Sequence, residues 1–229
     1  VEVRVIPAFE YESYGLEADE QEGGGGLIAE SIRIVNGNVV EVRLDLDFPS
    51  PNRLGLRLLG VYNSRYEELG SMGHGWTHTY EVSLEPAFAI EDIPCLRIID
   101  GTAKAFYFRE EAPGEYSGLY GEHSRVKTEA GGYIWYRLDG SRYRFSSSGH
   151  LVRMEDAVGN GLELVYDLNH RLEKVIDAAS GRALTFHYNG DRLDHVSGPV
   201  TAAVPDGVWV TYRYDGNHNP ASVLYADGS

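Results

Sequence analysis

Apolar and polar residues alternate with a period of two along most of the chain from Ile28 onward. In the clearest run, the apolar residues Val40, Val42, Leu44, Leu46 and Phe48 alternate with Glu41, Arg43, Asp45 and Asp47. This alternation is typical of a strand with one face buried and the other in water. The same pattern recurs in the runs 54–58, 80–84, 162–166, 184–188 and 208–214. Almost nothing has the period of a helix, so the sequence predicts an all-β protein.

Two-residue turn signals separate these runs. They are Asn36-Gly37, Asp100-Gly101, Gly131-Gly132, Asp139-Gly140 and Asn189-Gly190. Gly and Asn supply the left-handed backbone angles that a tight hairpin needs. The 16 tyrosines fit this interpretation, since aromatic side chains pack well on pleated surfaces. The sequence therefore predicts an array of antiparallel β-hairpins in one continuous sheet.

The second half of the chain contains an internal repeat. Each unit begins with an aromatic residue and continues through a short polar turn to apolar residues. The four leading aromatic residues are Phe145, Tyr166, Tyr188 and Tyr214. They are 21, 22 and 26 residues apart, and an insert over 199–207 lengthens the last interval. One hairpin cannot bury its apolar face alone, so neighbouring units must stabilise each other.

Two sets of motifs resemble those of a known family. The frames Tyr166-Asp167-Leu168-Asn169-His170-Arg171-Leu172 and Tyr214-Asp215-Gly216-Asn217-His218-Asn219 are similar to the tyrosine-aspartate (YD) repeats of Rhs proteins, toxin complex shell proteins and teneurins. Upstream, the segments 56–65 and 73–81 resemble the region before the repeats in bacterial Rhs proteins, in the same order. The signature residues are Tyr62, Asn63, Ser64, Arg65, Gly73, Gly75, Trp76, His78, Tyr80, Tyr166, Asp167, Tyr188, Tyr214 and Asp215.

The chain departs from the family pattern at four positions. Ser146 and Asn189 replace the aspartate in two of the four repeat frames, and Pro220 replaces the usual apolar residue. Gly60 stands where a basic residue often precedes the Tyr-Asn-Ser stretch.

The acidic charge and the four consecutive glycines near the start of the chain, together with the resemblance, predict a domain organisation and a shape. An acidic, Gly-rich and partly mobile segment over 1–27 precedes a pre-repeat β-hairpin region over 28–140. YD-like hairpins over 141–229 follow, cut short at the C-terminal side. In the family such hairpins form a curved or spiral sheet, the wall of a hollow shell.

Two functions follow from the resemblance, and neither requires catalysis by this segment. The first is a structural segment of an Rhs-type shell, secreted or at a bacterial cell surface, with the rest of its own longer chain and a C-terminal toxin as partners. The second is an extracellular binding or adhesion module whose aromatic-rich sheet recognises a carbohydrate or a partner protein. Tyrosines on the concave face favour the first function, and tyrosines clustered outside favour the second.

Charge and composition exclude several other classes. The net charge is −15, of which −7 lies in the first 30 residues. No basic patch offsets the repulsion by nucleic acid phosphates, so we expect no nucleic acid partner. No apolar run reaches the roughly 18 to 20 residues of a membrane span. A single cysteine, Cys95, excludes an internal disulfide and a cysteine-rich zinc site.

The candidate chemical sites have structural interpretations that we prefer. His74 and His78 are four residues apart, but in a strand or turn this spacing does not form a metal site without a third ligand. We expect the glycines on either side of His74 to allow close backbone approach, and Trp76 to fill the sheet interior.

A calcium-loop-like motif and the single cysteine also have structural interpretations. Asp215, Asn217 and Asn219 occupy positions 1, 3 and 5 of a calcium loop, but position 6 is proline and position 12 is Ala226, so turn formation explains them better. Cys95 has no motif that would activate it. The sequence therefore predicts no catalytic residue, cofactor or metal.

The last expectation concerns the C-terminal end. Tyr214 begins a repeat whose second strand is expected beyond Ser229. This would leave an open sheet edge, which is a template for self-association.

Overall fold

The computed structural model describes residues 27–28, 32–33, 38–50, 54–89 and 92–228. Within these ranges every helix or strand element is a strand, which confirms the all-β prediction. The strands are β1 (Leu27–Ile28), β2 (Ile32–Arg33), β3 (Val40–Phe48), β4 (Leu56–Asn63), β5 (Leu69–Gly70), β6 (Gly73–His74), β7 (Trp76–His78), β8 (Ser83–Pro86), β9 (Cys95–Ile99), β10 (Ala105–Ala112), β11 (Glu115–Gly118), β12 (Arg125–Glu129), β13 (Gly132–Tyr136), β14 (Arg142–Ser146), β15 (Leu151–Glu155), β16 (Gly161–Tyr166), β17 (Leu172–Asp177), β18 (Ala183–Asn189), β19 (Arg192–Ser197), β20 (Val208–Tyr214) and β21 (Pro220–Tyr225). Accordingly, no helix that could cross a membrane occurs in the described part of the chain. The expected acidic segment up to residue 26 and the turn at 36–37 lie outside the described residues.

Strands β8 to β21 form one antiparallel sheet of 14 strands, here called the large sheet. Each strand pairs with the next along the chain, which confirms the predicted hairpin array. The pairing of β13 with β14 crosses residue 140, so the sheet is continuous between the expected pre-repeat and repeat regions.

The large sheet curves until its first strand meets a later turn. The N–H of Leu84 on β8 donates to the carbonyl of Gly149, at 2.9 Å, and Ser83 forms a β-bridge with His150. Gly149 has φ 83°, and a Cβ there would lie 1.8 Å from the Leu84 oxygen, so only glycine fits. The turn between β14 and β15 therefore covers the outer edge of β8.

The predicted hairpin turns occur in the described residues, with one difference in detail. Gly131, Gly140 and Gly190 take positive φ values of 93°, 83° and 61°. In the turn after β9, Ala103 rather than Gly101 adopts the left-handed conformation, with φ 59°. Gly101 allows close packing instead, since a Cβ there would lie 2.6 Å from the backbone oxygen of Thr79, in the turn that follows β7.

A β-bulge accompanies the leading aromatic residue of each repeat. The pairing register shifts at Arg144/Phe145, Val165/Tyr166, His187/Tyr188 and Arg213/Tyr214. A bulge bends a strand and increases its twist. Four bulges therefore occur at equivalent positions, one in the first strand of each repeat hairpin.

The expectation for the last repeat is wrong in one respect. Strand β21 is the second strand of the repeat that Tyr214 begins, and it pairs with β20 through five residue pairs. A turn of five residues, 215–219, is enough to reverse the chain. The second strand therefore lies within the chain, and β21 is the last strand of the large sheet among the described residues.

Strands β3, β4 and β7 form a separate sheet, here called the inner sheet. The predicted alternation on β3 fails at a bulge, because Leu44 lies opposite Leu59 while Leu46 lies opposite Leu58. Asp45 is the extra residue. The apolar residues before it therefore project to one face of the strand, and the apolar residues after it project to the other.

The bulge places the apolar residues of β3 in two clusters rather than on one face. Val42 packs with Leu59 and Val61, and Val40 and Leu44 flank this small cluster. Leu46, by contrast, belongs to the main core, with Phe48 packed against it. The prediction of one wet, charged face is also wrong, since Arg43 and Asp45 are 8% and 6% exposed.

The main core lies between the two sheets. It joins Leu56 and Leu58 of the inner sheet to apolar residues on the facing side of the large sheet, such as Val175 and Leu184, all less than 1% exposed. The inner sheet therefore covers a face of the large sheet that hairpins alone would leave in water.

Candidate functional site: the interface between the two sheets

The repeat tyrosines connect successive hairpins of the large sheet. Each tyrosine hydroxyl donates to a backbone carbonyl opposite the leading aromatic residue of the preceding hairpin. The bonds run from Tyr166 to Leu151 (2.9 Å), from Tyr188 to Leu172 (3.0 Å) and from Tyr214 to Leu193 (2.7 Å). All three rings are partly buried against the main core. This tyrosine ladder is a repeating contact that fixes each hairpin on its neighbour.

The two YD aspartates form their turns through backbone hydrogen bonds. The Asp167 carboxylate accepts N–H groups two and four residues later, at 2.8 and 2.9 Å. Asp215 accepts the equivalent pair at the same distances. These backbone donors lower the pKa of both aspartates, so both remain charged acceptors. In each turn the histidine three residues after the aspartate has a positive φ, 62° and 65°. This geometry supports the turn interpretation of 215–219.

Ser146 stands in place of the aspartate and makes a comparable contact. Its hydroxyl accepts the N–H of His150 at 3.2 Å, and its carbonyl accepts the N–H of Gly149 at 3.0 Å. The other departure, Asn189, ends β18 opposite Arg192, and a two-residue turn joins the strands. The family pattern is thus replaced by different turn chemistry without a break in the sheet.

The Tyr62 to Arg65 segment anchors the end of β4. Asn63 accepts the N–H of Arg65 at 3.1 Å and donates its amide to the Thr102 carbonyl at 3.3 Å. Ser64 accepts the N–H of Val39 at 2.9 Å. The segment therefore links the start of β3 to the turn after β9, and Arg65 lies exposed at its end.

Gly73 and Gly75 allow the close backbone approach that the sequence predicts. Gly73 has φ 112°, and a Cβ there would lie 2.6 Å from the carbonyl of His218 in the last repeat turn. Gly75 has φ 71°, and a Cβ would lie 2.8 Å from the Tyr62 ring. Pro220 contributes to the same junction, because its Cδ would be 2.9 Å from a Cβ at Gly73.

Trp76 does not fill the interior as expected. It is only partly buried, with the guanidinium carbon of Arg43 4.8 Å from its ring centroid and Tyr62 at 5.6 Å. The interior positions are occupied by Tyr80 and His78, at 1% and 2% exposure.

His78 and Tyr80 pack against the same residue of the large sheet. The His78 ring stacks on Phe186 with centroids 5.5 Å apart, and the Tyr80 ring meets Phe186 edge-on at 6.1 Å. The Tyr80 hydroxyl accepts the N–H of Arg57 at 3.0 Å. Burial lowers the pKa of His78, and its Nδ1 accepts the Tyr80 N–H at 3.2 Å, as a neutral ring can. His74, in contrast, is exposed on β6, so the two sequence candidates for a metal site have different surroundings.

A buried ion pair on β3 is the polar centre of the interface. Arg43 donates to Asp45 through Nε at 2.6 Å and Nη2 at 3.1 Å. From the large sheet, the hydroxyl of Tyr212 donates to Asp45 Oδ2 at 2.7 Å and that of Tyr225 to Oδ1 at 3.0 Å. Four hydrogen bonds thus satisfy the Asp45 carboxylate. We call Arg43, Asp45, Tyr212 and Tyr225 the Asp45 cluster.

The charges of the Asp45 cluster are fixed by its geometry. Burial opposes the charge of Arg43, but the hydrogen bond and charge of Asp45 outweigh it and raise the pKa of Arg43 above its usual value. Burial and the Asp45 charge raise the pKa of Tyr212 well above its usual value. Tyr212 therefore keeps its proton, and donates a hydrogen bond, throughout the pH range in which proteins are folded.

Gly60 has a physical role in the Asp45 cluster. It lies opposite Arg43 in the inner sheet, and a Cβ there would be 2.8 Å from Arg43 Nη2 and 3.3 Å from Asp45 Oδ2. Glycine at this position leaves room for the buried guanidinium. The departure from the family pattern at this position and the Asp45 cluster are thus connected.

The loop between β5 and β6 forms a second polar junction with the large sheet. Its Ser71 carbonyl accepts the N–H of Leu193 at 3.0 Å, and its Gly70 carbonyl accepts Arg192 Nη1 at 2.9 Å. The Glu81 carboxylate holds the loop by accepting the N–H and hydroxyl of Ser71 at 3.2 and 3.3 Å. The inner region is therefore hydrogen-bonded to β19 as well as to β20 and β21.

Sequence reasoning did not find the Asp45 cluster. The available signal was one basic residue, Arg43, two positions before Asp45 in a strand whose other charged residues are acidic. Nothing local could identify Tyr212 and Tyr225 as partners, since they lie 167 and 180 residues away from Asp45.

A cleft of about 860 Å³ opens between β4 and the turns after β13 and β15. Its charged lining is already engaged in structural contacts. Arg57 pairs with Asp47 at 2.8 Å, and the guanidinium of Arg137 lies 4.6 Å from the Trp135 ring centroid. Asp139 accepts the N–H of Ser141 at 2.8 Å. These charged groups in the cleft therefore stabilise the turns and strands that carry them.

Other reactive groups have structural surroundings. Cys95 is buried on β9, with its Sγ 3.7 Å from the Ile93 carbonyl oxygen. In the part of the chain that the structure describes, no group of three or more His, Cys, Asp or Glu residues is arranged to hold a metal ion.

Comparisons with known proteins agree with a toxin-associated segment. Residues 29–108 match a family described as "Domain of unknown function (DUF6531)". Over 216 residues, 90% of this chain, the sequence is 26% identical to "Double-stranded DNA deaminase toxin A" of Burkholderia cenocepacia (strain H111). The chain spans about 15% of the length of that relative. Both matches are compatible with the resemblance to Rhs and YD-repeat proteins.

Proposed function

We propose that this chain is a non-catalytic structural segment of an Rhs-type YD-repeat shell that encapsulates or carries a C-terminal effector or toxin. The observation that carries the proposal is the inward-facing tyrosine ladder, which joins each repeat hairpin to the one before it. A wall built in this way extends by adding hairpins, and each added hairpin meets the same contact. The inner sheet then fixes the start of the wall.

The comparison with the toxin supports a carrier rather than an effector. Zinc-dependent nucleobase deaminases hold their metal through histidine and two cysteines, or three cysteines. This chain has one cysteine, Cys95, and it is buried. The relative's named activity is therefore not expected from the segment that this chain matches. On this proposal the protein is secreted or lies at a bacterial cell surface.

Limited proteolysis of the full natural protein tests the carrier role. We expect the segment that follows the repeats to resist cleavage in the wild type and to be cleaved faster in an Asp45→Asn variant, because the wall is weakened where the two sheets meet. Glu163→Gln is the matched control, since Glu163 is exposed on the large sheet and pairs with Arg153. Equal resistance of the downstream segment when residues 38–228 are deleted would contradict the proposal.

The partners on this proposal are the remainder of the same chain and, in its absence, another copy. Strand β21 is the edge of the large sheet among the described residues, and an open edge can pair with a further strand. Sedimentation of the 229-residue chain should therefore show association at moderate salt. Leu224→Lys should reduce it if β21 is the contact, because Leu224 is 40% exposed on β21 and a lysine on an edge strand disfavours further pairing.

A second candidate function is a binding or adhesion module, favoured by an aromatic cluster on the outer surface. Tyr107 lies between Phe88 and Tyr120, with ring centroids 5.8 and 5.9 Å away, and the two outer rings are 56% and 78% exposed. Tyr120 also has a φ of 56°, an uncommon conformation for a bulky residue. Glycan binding that Tyr120→Ala abolishes would favour this function, and Tyr136→Ala is the control for the loss of a tyrosine elsewhere on the sheet.

A further inference from the structure

Two pairs of histidine rings stack on the large sheet. His187 on β18 lies opposite His195 on β19, with ring centroids 4.2 Å apart and planes 10° from parallel. His150 and His170, in successive repeat turns, stack at 5.2 Å with planes at 12°. Neutral imidazoles can stack in this way, but two imidazolium ions at the same distance repel each other.

The first pair has few opposite charges around it. His187 faces the hydroxyl of Ser197 at 3.1 Å, and His195 faces Asp194 at 2.7 Å. The other charged groups on these and the neighbouring strands are Glu173, Lys174 and Asp177 of β17, Arg192 of β19 and Arg213 of β20. Glu173 pairs with Lys174 at 3.3 Å, Asp177 accepts the Ser50 hydroxyl at 3.0 Å, and Arg192 donates to the Gly70 carbonyl at 2.9 Å. Asp194 can thus offset one positive charge on this pair, and a second proton adds repulsion.

The second pair lies where the large sheet closes on β8. The Nδ1 of His150 faces the Ser148 hydroxyl at 2.9 Å, and its ring lies 5.0 Å from that of Tyr166. In the turn that holds His170, Asp167 is paired with Arg171 at 2.8 Å.

Strand β8 brings further groups to the second pair. Ser83 forms the β-bridge to His150, and Glu85 on the same strand pairs with Arg97. Glu81, which precedes β8, interacts electrostatically with Tyr166, whose ring contacts His150. The carboxylates of these elements are held by other partners: Asp167 and Glu85 by arginines, and Glu81 by the loop that contains Ser71.

We propose that the two stacked histidine pairs make the hairpins from β14 to β19 acid-sensitive, so that protonation below neutral pH separates the rings and loosens this part of the wall. The proposal concerns the stability of the sheet and does not depend on the identity of any cargo.

The direction of the pH effect follows from the state of the rings. Burial, and then the charge of the partner ring, lowers the pKa of His150 and of His187. An unfolded histidine titrates near 6.5. Below that pH the unfolded state binds more protons than the folded state, so the free energy of unfolding falls as the pH falls through 6.5 toward the folded pKa. Buried His78 acts in the same direction, and the experiment must separate it.

Urea unfolding of the 229-residue chain at a series of pH values tests the proposal. The variants are His150→Gln/His187→Gln, which removes one ring from each pair, and His74→Gln, an exposed histidine on β6, as the control. The folding equilibrium constant should fall as the pH is lowered from about 7.5 to about 5. We expect this fall to be smaller in the double variant than in the wild type and the control. The difference should be about ten-fold for each unit by which stacking lowers a histidine pKa.

Two results would overturn the proposal. One is an equal pH dependence in the double variant and the wild type. The other is a ring-proton NMR titration of the wild type in which His150 and His187 titrate at or above 6.5. The titration needs no variant, so it decides the question even if the double variant does not fold.

Discussion

The large sheet and the inner sheet are both made of short antiparallel strands, but they are stabilised in different ways. In the repeat hairpins of the large sheet the same kinds of contact recur: a bulge at each leading aromatic residue, a tyrosine hydroxyl on the preceding carbonyl in three of them, and a side-chain-bonded turn in three of the four. In the inner sheet, one bulge at Asp45 buries an ion pair whose remaining partners lie 167 and 180 residues later. Repetition therefore distributes stability over many small contacts, whereas the inner sheet concentrates it in one cluster.

Because of this difference, the inner sheet depends on the last hairpin of the large sheet for its stability. The carboxylate of Asp45 is 0% exposed, and its contacts with Tyr212 and Tyr225 exist only when the fourth repeat hairpin is in place. A buried charge without partners is costly. The inner sheet and the β20–β21 hairpin should therefore be stable together and unstable apart.

The largest expected effect is at the Asp45 cluster. Asp45→Leu leaves the buried Arg43 charge unpaired and two tyrosine hydroxyls without an acceptor. Breaking a buried ion pair in this way costs about 3–5 kcal/mol. Chemical denaturation of the variant and the wild type measures the difference.

The rescue of that loss is the matched control. Arg43→Met/Asp45→Leu removes both charges, and a buried pair replaced by apolar residues is often neutral in stability. The double variant should therefore be more stable than Asp45→Leu alone. A double variant as unstable as the single one would mean that the ion pair is not the source of the effect.

A smaller but still substantial effect is expected at Gly73, where the two regions meet. Gly73→Ala introduces left-handed strain of about 1–2 kcal/mol and overpacking of about 1–3 kcal/mol against the last repeat turn. Gly190→Ala is the comparison, since φ is 61° there and nothing lies within 4 Å of a Cβ. It should cost only the strain. Thermal or urea unfolding of both variants gives the two values, and equal losses would argue against a tight junction at Gly73.

The sequence was informative where structure depends on neighbours along the chain. The period of two, the turn residues and the repeat of leading aromatic residues predicted the hairpin array, because each hairpin pairs with the next one. The alternation on β3 failed because a bulge at Asp45 is not visible in a pattern of period two. The part of the interface formed by Tyr212 and Tyr225 also depends on contacts across most of the chain, which local patterns do not specify.

The smallest effects should distinguish the two kinds of tyrosine. Tyr188→Phe removes one neutral hydrogen bond of the ladder, worth about 0.5–1.5 kcal/mol. Tyr212→Phe removes a bond to a charged carboxylate, worth about 1.5–3 kcal/mol. Both changes keep the ring, so packing is conserved. If chemical denaturation shows a larger loss of unfolding free energy for Tyr188→Phe than for Tyr212→Phe, the contrast between the ladder and the Asp45 cluster is wrong.

The inner sheet and the fourth repeat hairpin should form one cooperative unit through the Asp45 cluster. Amide hydrogen exchange of Tyr212→Phe/Tyr225→Phe, followed by mass spectrometry, measures this coupling. We expect faster exchange in peptides covering 40–48 as well as in those covering 208–225, while peptides covering 125–136 stay unchanged. Faster exchange confined to 208–225, with 40–48 as protected as in the wild type, would show that the two regions are not coupled through this cluster.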